Sequence, residues 1–90
     1  MGRPPGQNYV QPPDSLKAFP DARWTRPKTG QGDGRRRKRW KDAKTGNLLE
    51  WDYLHGAIEM FDRRGNHLGE FDPDTGEQRK PSDPTRRIDP

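Results

Sequence analysis

The apolar residues of this chain concentrate in its second half, where they form short runs separated by turn residues. The runs read RRKRWKD, NLLEWDYL, AIEMFD, HLGEFD and EQRK, and they are rich in the aromatic and aliphatic residues that β-strands prefer. Between them stand three turn motifs, DAKTG at 42–46, DRRGN at 62–66 and DPDTG at 72–76. Asp begins a type I turn, and Gly accepts the positive φ that closes a hairpin. The pattern predicts an antiparallel meander of four or five strands over residues 35–90.

A helix over residues 48–61 is the competing interpretation of the most apolar stretch. In that helix Asp52, His55 and Glu59 would share one face, because they are spaced i, i+3 and i+7. Gly56 in the middle of the stretch and the hairpin signals on both sides favour strands instead.

Residues 1–34 have the composition of an irregular arm. The segments GRPPGQ, QPPD and KTGQGDG are turn and linker chemistry, because Pro removes a backbone donor and Gly adds freedom. One short helix is predicted at 14–19, with Asp14 as its N-cap and Pro20 as its stop. The chain therefore divides into this arm and a sheet domain at 35–90.

The composition limits how stable the domain is by itself. Only 24% of the 90 residues are hydrophobic, 36% are charged, and Gly and Pro number ten each. A large core is out of reach, so a bound partner is expected to add stability. There is no cysteine, hence no disulfide and no Cys-based zinc site. No apolar run approaches the length of a membrane span and no signal-peptide pattern opens the chain, which is compatible with a fragment of a larger secreted protein.

Positive charge is concentrated in one segment. Residues 35–45 carry seven basic and one acidic residue, whereas residues 46–90 carry six basic and ten acidic ones. Cations on a strand neutralise phosphates with release of counterions, and a Trp among them packs inward as an anchor or stacks on a base. A solubilising or nuclear-localisation-like tract is the plainer interpretation. The predicted RNA-binding residues are Arg35, Arg36, Arg37, Lys38, Arg39, Trp40 and Lys41.

Three interpretations remain open for Asp52, His55 and Glu59. The two carboxylates point to solvent while the histidine ends a strand, or the three bind a metal, or they transfer protons. A zinc site would have only these three ligands and His67 to spare, and a DNA-cutting His-metal finger needs more histidines. No metal is therefore predicted.

Proton transfer fits the cleavage of RNA. A base removes the proton of the ribose 2′-OH, an acid protonates the departing 5′ oxygen, and a cation stabilises the phosphorane. No metal is required, because the nucleophile belongs to the substrate. On a straight strand His55 and Glu59 would lie roughly 13 Å apart. A bend at Gly56, or a hairpin, is needed to bring both to one phosphate.

The motifs KRW, EWD..HG..E, G.HLG.FDP.TG and DP.R.I follow one another in a familiar order. Over about residues 35–88 the chain resembles the cytotoxic ribonuclease domain of colicin- and cloacin-type bacteriocins, the class that cuts 16S ribosomal RNA. The resemblance implies a strongly twisted antiparallel sheet with a short N-terminal helix. Together with the strand pattern, the expected fold is mainly β, with a sheet of four to six strands.

The resemblance also implies a role for each candidate catalytic residue. Glu59 would be the general base and His55 the general acid, with Asp52 orienting and tuning the histidine. Arg86 would be the phosphate clamp, and Arg87 beside it is assigned to RNA binding, which leaves open which arginine is the clamp.

Two positions depart from the family pattern. Family members have an acidic residue and a tyrosine where this chain has Ala57 and Phe61, so any contribution from that hydroxyl is lost here.

The implied function is that of a metal-independent endoribonuclease toxin that needs no cofactor, cleaves 16S ribosomal RNA in the decoding site and stops translation. The implied partners are the ribosome as target and a small acidic immunity protein as inhibitor. Such a domain is delivered as part of a larger secreted toxin and acts in the cytoplasm of the target bacterium. A non-catalytic RNA- or ribosome-binding module, and a related ribonuclease that cuts tRNA, are the alternatives.

Overall fold

Short strands alternate with tight turns along the chain in a computed structural model that describes residues 9–90. Within this part all the strands form one antiparallel sheet, and their order in the sheet follows their order in the chain. The prediction of a mainly β fold with four to six antiparallel strands is confirmed. The strands are β1 (Ala22–Thr25), β2 (Arg39–Asp42), β3 (Leu48–Asp52), β4 (Ala57–Phe61), β5 (His67–Phe71) and β6 (Gln78–Lys80).

The helix predicted at 14–19 is wrong, and residues 9–90 contain no helix. Six residues between prolines are too few to repay the nucleation of a helix. Packing and turns hold the segment instead. Leu16 is buried in the core, the Phe19 N–H donates to the Leu16 carbonyl, and the Ala18 N–H donates to the Pro73 carbonyl. The competing helix over 48–61 is also absent, because that stretch forms β3, a turn and β4.

β1 lies inside the arm predicted to be irregular. It pairs with β2 over its whole length, with Trp24 opposite Trp40. The four residues of β1 are too few to show a strand periodicity in the sequence. At the other boundary, the strand predicted for the run RRKRWKD begins three residues later than expected, because β2 begins at Arg39 and not at Arg36.

Three turns of the sheet share one geometry, at 42–46, 52–56 and 72–76. In each, the Gly N–H donates to the carbonyl of the Asp four residues earlier at 2.9 Å. The Asp Oδ1 then accepts from the N–H groups two and three residues further on. The closing glycines have φ between 60° and 77°, a conformation that other residues rarely adopt. The sequence motif identified two of these turns, and the one it missed carries His55.

Alternation along the strands gives the sheet two different faces. The core face is apolar and carries Leu16, Trp40, Leu49, Trp51, Ile58 and Met60. The other face carries a row of polar residues that are in register across all six strands. This polar row consists of Thr25, Arg39, Glu50, Glu59, Glu70 and Lys80.

The segment after β6 returns past the start of β5 and the turn at 62–66. The Ile88 N–H donates to the Gly65 carbonyl at 3.0 Å, and Asn66 forms a backbone bridge with Arg87. A Cβ on Gly65 would lie 2.2 Å from the Ile88 carbonyl oxygen, so this close approach needs glycine. The return of the chain brings Arg86 to the polar row.

Candidate active site

The turn at 52–56 fixes His55 beside Asp52. The Oδ1 atom of Asp52 accepts from the N–H groups of Leu54 and His55, at 2.9 and 3.1 Å. Its Oδ2 atom lies 2.8 Å from the Nδ1 atom of His55. The Asp52 side chain is largely buried, whereas that of His55 is 51% exposed. One carboxylate therefore shapes the turn and orients the imidazole at the same time.

Glu70 is a second carboxylate on the same imidazole nitrogen. Its Oε1 atom lies 3.2 Å from His55 Nδ1 and 3.8 Å from Lys80 Nζ. Asp52, His55 and Glu70 hold their ligand atoms within 4.8 Å of one another, so among residues 9–90 they are the group that could hold a metal ion. The Nδ1 atom of His55 donates to Glu70 and lies beside Asp52 Oδ2, which gives the same atoms a sufficient role as an orienting cluster.

Glu59 is the centre of a second hydrogen-bonded group on the polar face. Its Oε1 atom lies 2.7 Å from His67 Nε2 and 3.0 Å from an Nη1 atom of Arg86. The Asp83 N–H donates to His67 Nδ1 at 2.9 Å. The proton of His67 must therefore sit on Nε2, where it is donated to Glu59. Two donors converge on one oxygen of a carboxylate that is almost completely buried.

Both groups line one cleft of about 620 Å³. Gly56 has φ +60°, and the hairpin it closes brings the chain back so that His55 and Glu59 face the same space. The structure thus brings together all four predicted catalytic residues. The ionisable residues of the cleft are Arg37, Asp52, His55, Glu59, His67, Lys80, Asp83 and Arg86.

The sequence analysis missed Glu70 and gave His67 no role. The two are three residues apart, and on a regular strand an odd spacing places side chains on opposite faces. A β-bulge in β5 shifts the register opposite Met60 and Phe61. The side chains of His67 and Glu70 therefore both reach the polar face. Gly69 was the available signal, because a glycine inside a strand pattern often marks a bulge.

Two of the predicted RNA-binding residues lie inside the molecule. Arg39 is 1% exposed and donates to Glu50 Oε2 through Nε at 3.0 Å and Nη2 at 2.8 Å. Trp40, also 1% exposed, belongs to the apolar core. Alternation along β2 turns Trp40 to the core and Arg39 to the polar row, where the Asp89 carbonyl covers it. Neither residue is available to RNA, and their assignment as RNA contacts is withdrawn.

The other cations of the segment differ in their surroundings. Arg35 is paired with Asp33 at 2.7 Å, and its hydrogen bonds lower the pKa of that carboxyl to about 2. Lys38 donates to the Pro13 carbonyl and lies over the ring of Trp40. Arg37 is half-buried and lines the cleft, whereas the others are exposed at the surface, namely Arg36, Lys41 and Arg87.

Phe61 occupies the position where the family pattern has tyrosine. Its ring is buried, with its centre 5.1 Å from that of His67 and 5.8 Å from the guanidinium carbon of Arg86. The ring supports both side chains by packing and by a cation–π contact. It offers no hydroxyl to the cleft.

The chain belongs to the Cytotoxic family, whose model matches residues 10–89. It is a toxin domain of the colicin and cloacin type, and the resemblance found in the motifs is confirmed. From Escherichia coli, cloacin is 40% identical to this chain, colicin E3 41% and colicin E6 39%, each over 87 residues and 92% of this chain. The chain spans 16% of the length of each of these relatives. Over residues 9–90 there is no helix that could cross a membrane.

Proposed function

We propose that this domain is a metal-independent endoribonuclease that cleaves 16S ribosomal RNA in the decoding site and so stops translation. The observation that carries the proposal is the cleft in which an oriented imidazole, a buried carboxylate and an arginine face the same space. These groups are sufficient for cleavage at a ribose 2′-OH, because the substrate supplies its own nucleophile.

Glu59 is suited to be the base. Its Oε1 atom is held by His67 and Arg86, and no hydrogen bond within residues 9–90 uses its Oε2 atom. Oε2 takes the proton of the 2′-OH as the 2′ oxygen attacks phosphorus. Arg86, which is 39% exposed, then stabilises the charge that develops on the phosphoryl oxygens.

His55 is suited to be the acid. Its Nδ1 donates to Glu70 Oε1 and lies 2.8 Å from Asp52 Oδ2, and Nε2 forms no hydrogen bond in the described part of the chain. Nε2 gives its proton to the 5′ oxygen as the bond from phosphorus to that oxygen breaks. The products are a 2′,3′-cyclic phosphate and a 5′-hydroxyl, and neither step needs a metal.

Primer extension on ribosomal RNA tests the reaction. Purified ribosomes incubated with the domain should give one new stop in the decoding region of 16S RNA, and EDTA should leave its intensity unchanged. Loss of cleavage with EDTA would favour a metal at Asp52, His55 and Glu70. No new stop, with cleavage of tRNA in the same reaction, would favour the related ribonuclease, and no cleavage at all would favour a binding module.

The same proposal includes the partners and the place of action. The domain targets the ribosome in the cytoplasm of a bacterium, after delivery as part of a larger secreted toxin. A small acidic immunity protein inhibits it in the producing cell. Two observations support this, namely the net charge of +4 and relatives that are named colicins and cloacin and are much longer than this chain.

A further inference from the structure

A second cleft, of about 280 Å³, adjoins the proposed active site. Its lining includes Arg37, Glu50, Arg86 and Arg87. Arg37 and Arg86 also line the catalytic cleft, so these two arginines form a wall between the two spaces. We call this space the second cleft. No step of the proposed cleavage reaction uses it.

The second cleft has an excess of positive charge. Within residues 9–90 no carboxylate oxygen lies within 4.0 Å of a side-chain nitrogen of Arg37 or Arg87, and residues 1–8 contain no acidic residue. Arg87 uses one hydrogen bond, from Nη2 to the Arg64 carbonyl at 3.2 Å. The remaining guanidinium donors of both residues are available to an anion.

The one acidic residue in the lining is already neutralised. Glu50 is fully buried, and its Oε2 atom accepts two hydrogen bonds from Arg39 and one from Thr29 Oγ1 at 2.6 Å. Its Oε1 atom is buried without a partner. An anion in the second cleft therefore faces Arg37 and Arg87, whose charges are not compensated. The charge of Glu50 in the same lining is already compensated by Arg39.

The backbone that carries Arg86 and Arg87 is held in place before any ligand arrives. The Ile88 N–H donates to the Gly65 carbonyl, the His67 N–H donates to the Arg86 carbonyl, and Asn66 bridges Arg87. Arg39 then secures the end of the segment through the Asp89 carbonyl at 2.9 Å. Pre-organisation of this kind lowers the entropy that binding costs.

We propose that the second cleft binds a backbone phosphate of the RNA substrate that flanks the scissile phosphate. This subsite rests on the proposed ribonuclease function, because it is defined by its neighbour. Arg86 and Arg37 line both clefts. This is the position expected for side chains that lie between the binding sites of two consecutive phosphates on one strand. Guanidinium groups match phosphate oxygens in geometry as well as in charge.

Arg87→Gln is the informative variant, because Arg87 lines only the second cleft and is exposed, so the change removes a charge without opening the core. Arg63→Gln is the matched control, since it removes the same charge from an exposed arginine outside both clefts. The probe is a fluorescent 2′-O-methyl RNA heptamer, which cannot be cleaved. A series of such heptamers carries one neutral methylphosphonate linkage at successive positions.

The wild-type protein should show two adjacent linkages whose neutralisation weakens binding, each by about tenfold, the scale of a charge-assisted hydrogen bond. Arg87→Gln should lose the sensitivity at one of these linkages and keep it at the other. Its binding should also be less salt-dependent than that of Arg63→Gln, by a slope of about 0.7 for one lost phosphate contact on a single strand.

Equal affinities, equal salt slopes and the same sensitive linkages in Arg87→Gln and Arg63→Gln would overturn the subsite. So would retention of RNA binding by Arg87→Gln together with loss of binding to an acidic protein partner, because the cleft would then be part of a protein interface. Failure of the ribonuclease proposal would give a different result, because the wild-type protein would then leave ribosomal RNA intact in primer extension.

Discussion

Glu59 and His55 have different surroundings, and the difference supports the roles in proton transfer that we propose for them. The Glu59 carboxylate is buried and receives two hydrogen bonds on a single oxygen, so its other oxygen is positioned to accept a proton. The His55 ring is half-exposed, with two carboxylates on a single nitrogen, so its other nitrogen is positioned to donate one. The proposed role of each group matches the atom that its neighbours leave free.

Replacing either residue should separate catalysis from binding. His55→Ala and Glu59→Ala should each lower the rate of ribosomal RNA cleavage by at least about 100-fold, the usual scale for a positioned acid or base. Ribosome affinity should change little, because the phosphate contacts lie on the arginines. Single-turnover cleavage and a ribosome-binding assay measure the two quantities.

Thr45→Ala provides the control for His55→Ala, because Thr45 occupies the same place in the equivalent turn at 42–46, outside the cleft. It should cleave at close to the wild-type rate. Near wild-type cleavage by His55→Ala or Glu59→Ala would refute the corresponding role.

At the scale of elements, the β-bulge in β5 decides the composition of the site. It places His67 and Glu70 on the polar face together, and each contacts one of the two residues proposed to transfer protons. Gly69 allows this geometry, with φ +137°. A Cβ there would lie 2.3 Å from Gln78 Nε2 and 2.6 Å from the Lys80 carbonyl oxygen.

Gly69→Ala should therefore lower both stability and activity. Strain at the backbone and the clash with β6 should decrease the free energy of unfolding by about 2–4 kcal/mol, and cleavage should fall because Glu70 and His67 move. Urea denaturation and a cleavage assay below the unfolding range measure the two effects. Gly30→Ala is the control, since a Cβ there meets nothing within 4 Å. Equal stability of the two variants would contradict the account of the bulge.

The turns predict how stability depends on pH. Backbone N–H groups, chiefly that of Thr75, lower the pKa of Asp72 from 3.8 to about 2. The N–H of Thr45 is the main cause of the lowered pKa of Asp42. A carboxyl whose pKa is lower in the folded state stabilises the protein above its ordinary pKa, and this contribution is lost as pH falls to the lowered value. The free energy of unfolding should therefore fall between about pH 4 and pH 2.

Asp72→Asn should make that decrease smaller and should destabilise the protein at pH 7. Asp74→Asn is the control, because the Asp74 side chain lies in the same turn and forms no hydrogen bond within residues 9–90. Thermal melts across this pH range measure the effect. The same pH slope in both variants would mean that the turn carboxylates do not control acid unfolding.

The sequence predicted those features that depend on local chemistry. The motifs at 42–46 and 72–76 indicated hairpins because Asp and Gly determine the turn by themselves. The turn at 52–56 has the same Asp and Gly. It was not recognised in the sequence, because Leu54 is typical of a strand and His55 of a functional site. The bulge at Gly69 changes which face a residue occupies, and that depends on the register with β4 rather than on local sequence.

Long-range pairing explains the remaining differences. In the sequence, Arg39 resembles an RNA contact because it lies within a cationic run. In the fold it is bound by Glu50 and the Asp89 carbonyl, and neither is near it in sequence. β1 is a strand because Trp24 pairs with Trp40, not because its four residues form a pattern. Asp52, His55 and Glu59 could still be selected as candidate catalytic residues, because they lie close together in the sequence and match the family motif EWD..HG..E.

At the scale of the whole molecule, the domain has little apolar core and much charge. Within residues 9–90, six polar or charged residues are buried, including the Arg39–Glu50 ion pair. Buried pairs of this kind contribute little net stability because of their desolvation. Only 24% of the chain is hydrophobic. Stability from a bound partner should therefore be a large fraction of the total.

The partner expected for a toxin domain with these charges is a small acidic protein. The surface that we propose approaches RNA is cationic, so an acidic partner should associate quickly and with a strong dependence on salt. It can inhibit by blocking approach to the ribosome without filling the catalytic cleft. We expect the reading frame beside that of the toxin to encode this protein, and the complex to have a dissociation constant of about 1 nM or less.

The expected stabilisation follows from the affinity. Free partner at about 1,000 times the dissociation constant adds about 4 kcal/mol to the folded state. Each kcal/mol raises the Tm of a domain of 60–100 residues by about 4–8 °C, so the Tm of this domain should rise by more than about 10 °C. Co-purification followed by thermal melts at two salt concentrations measures both the binding and its electrostatic part. A neighbouring product that neither binds the domain nor protects cells expressing residues 1–90 would refute the toxin–immunity pairing, and cleavage of ribosomal RNA would then have to be judged without it.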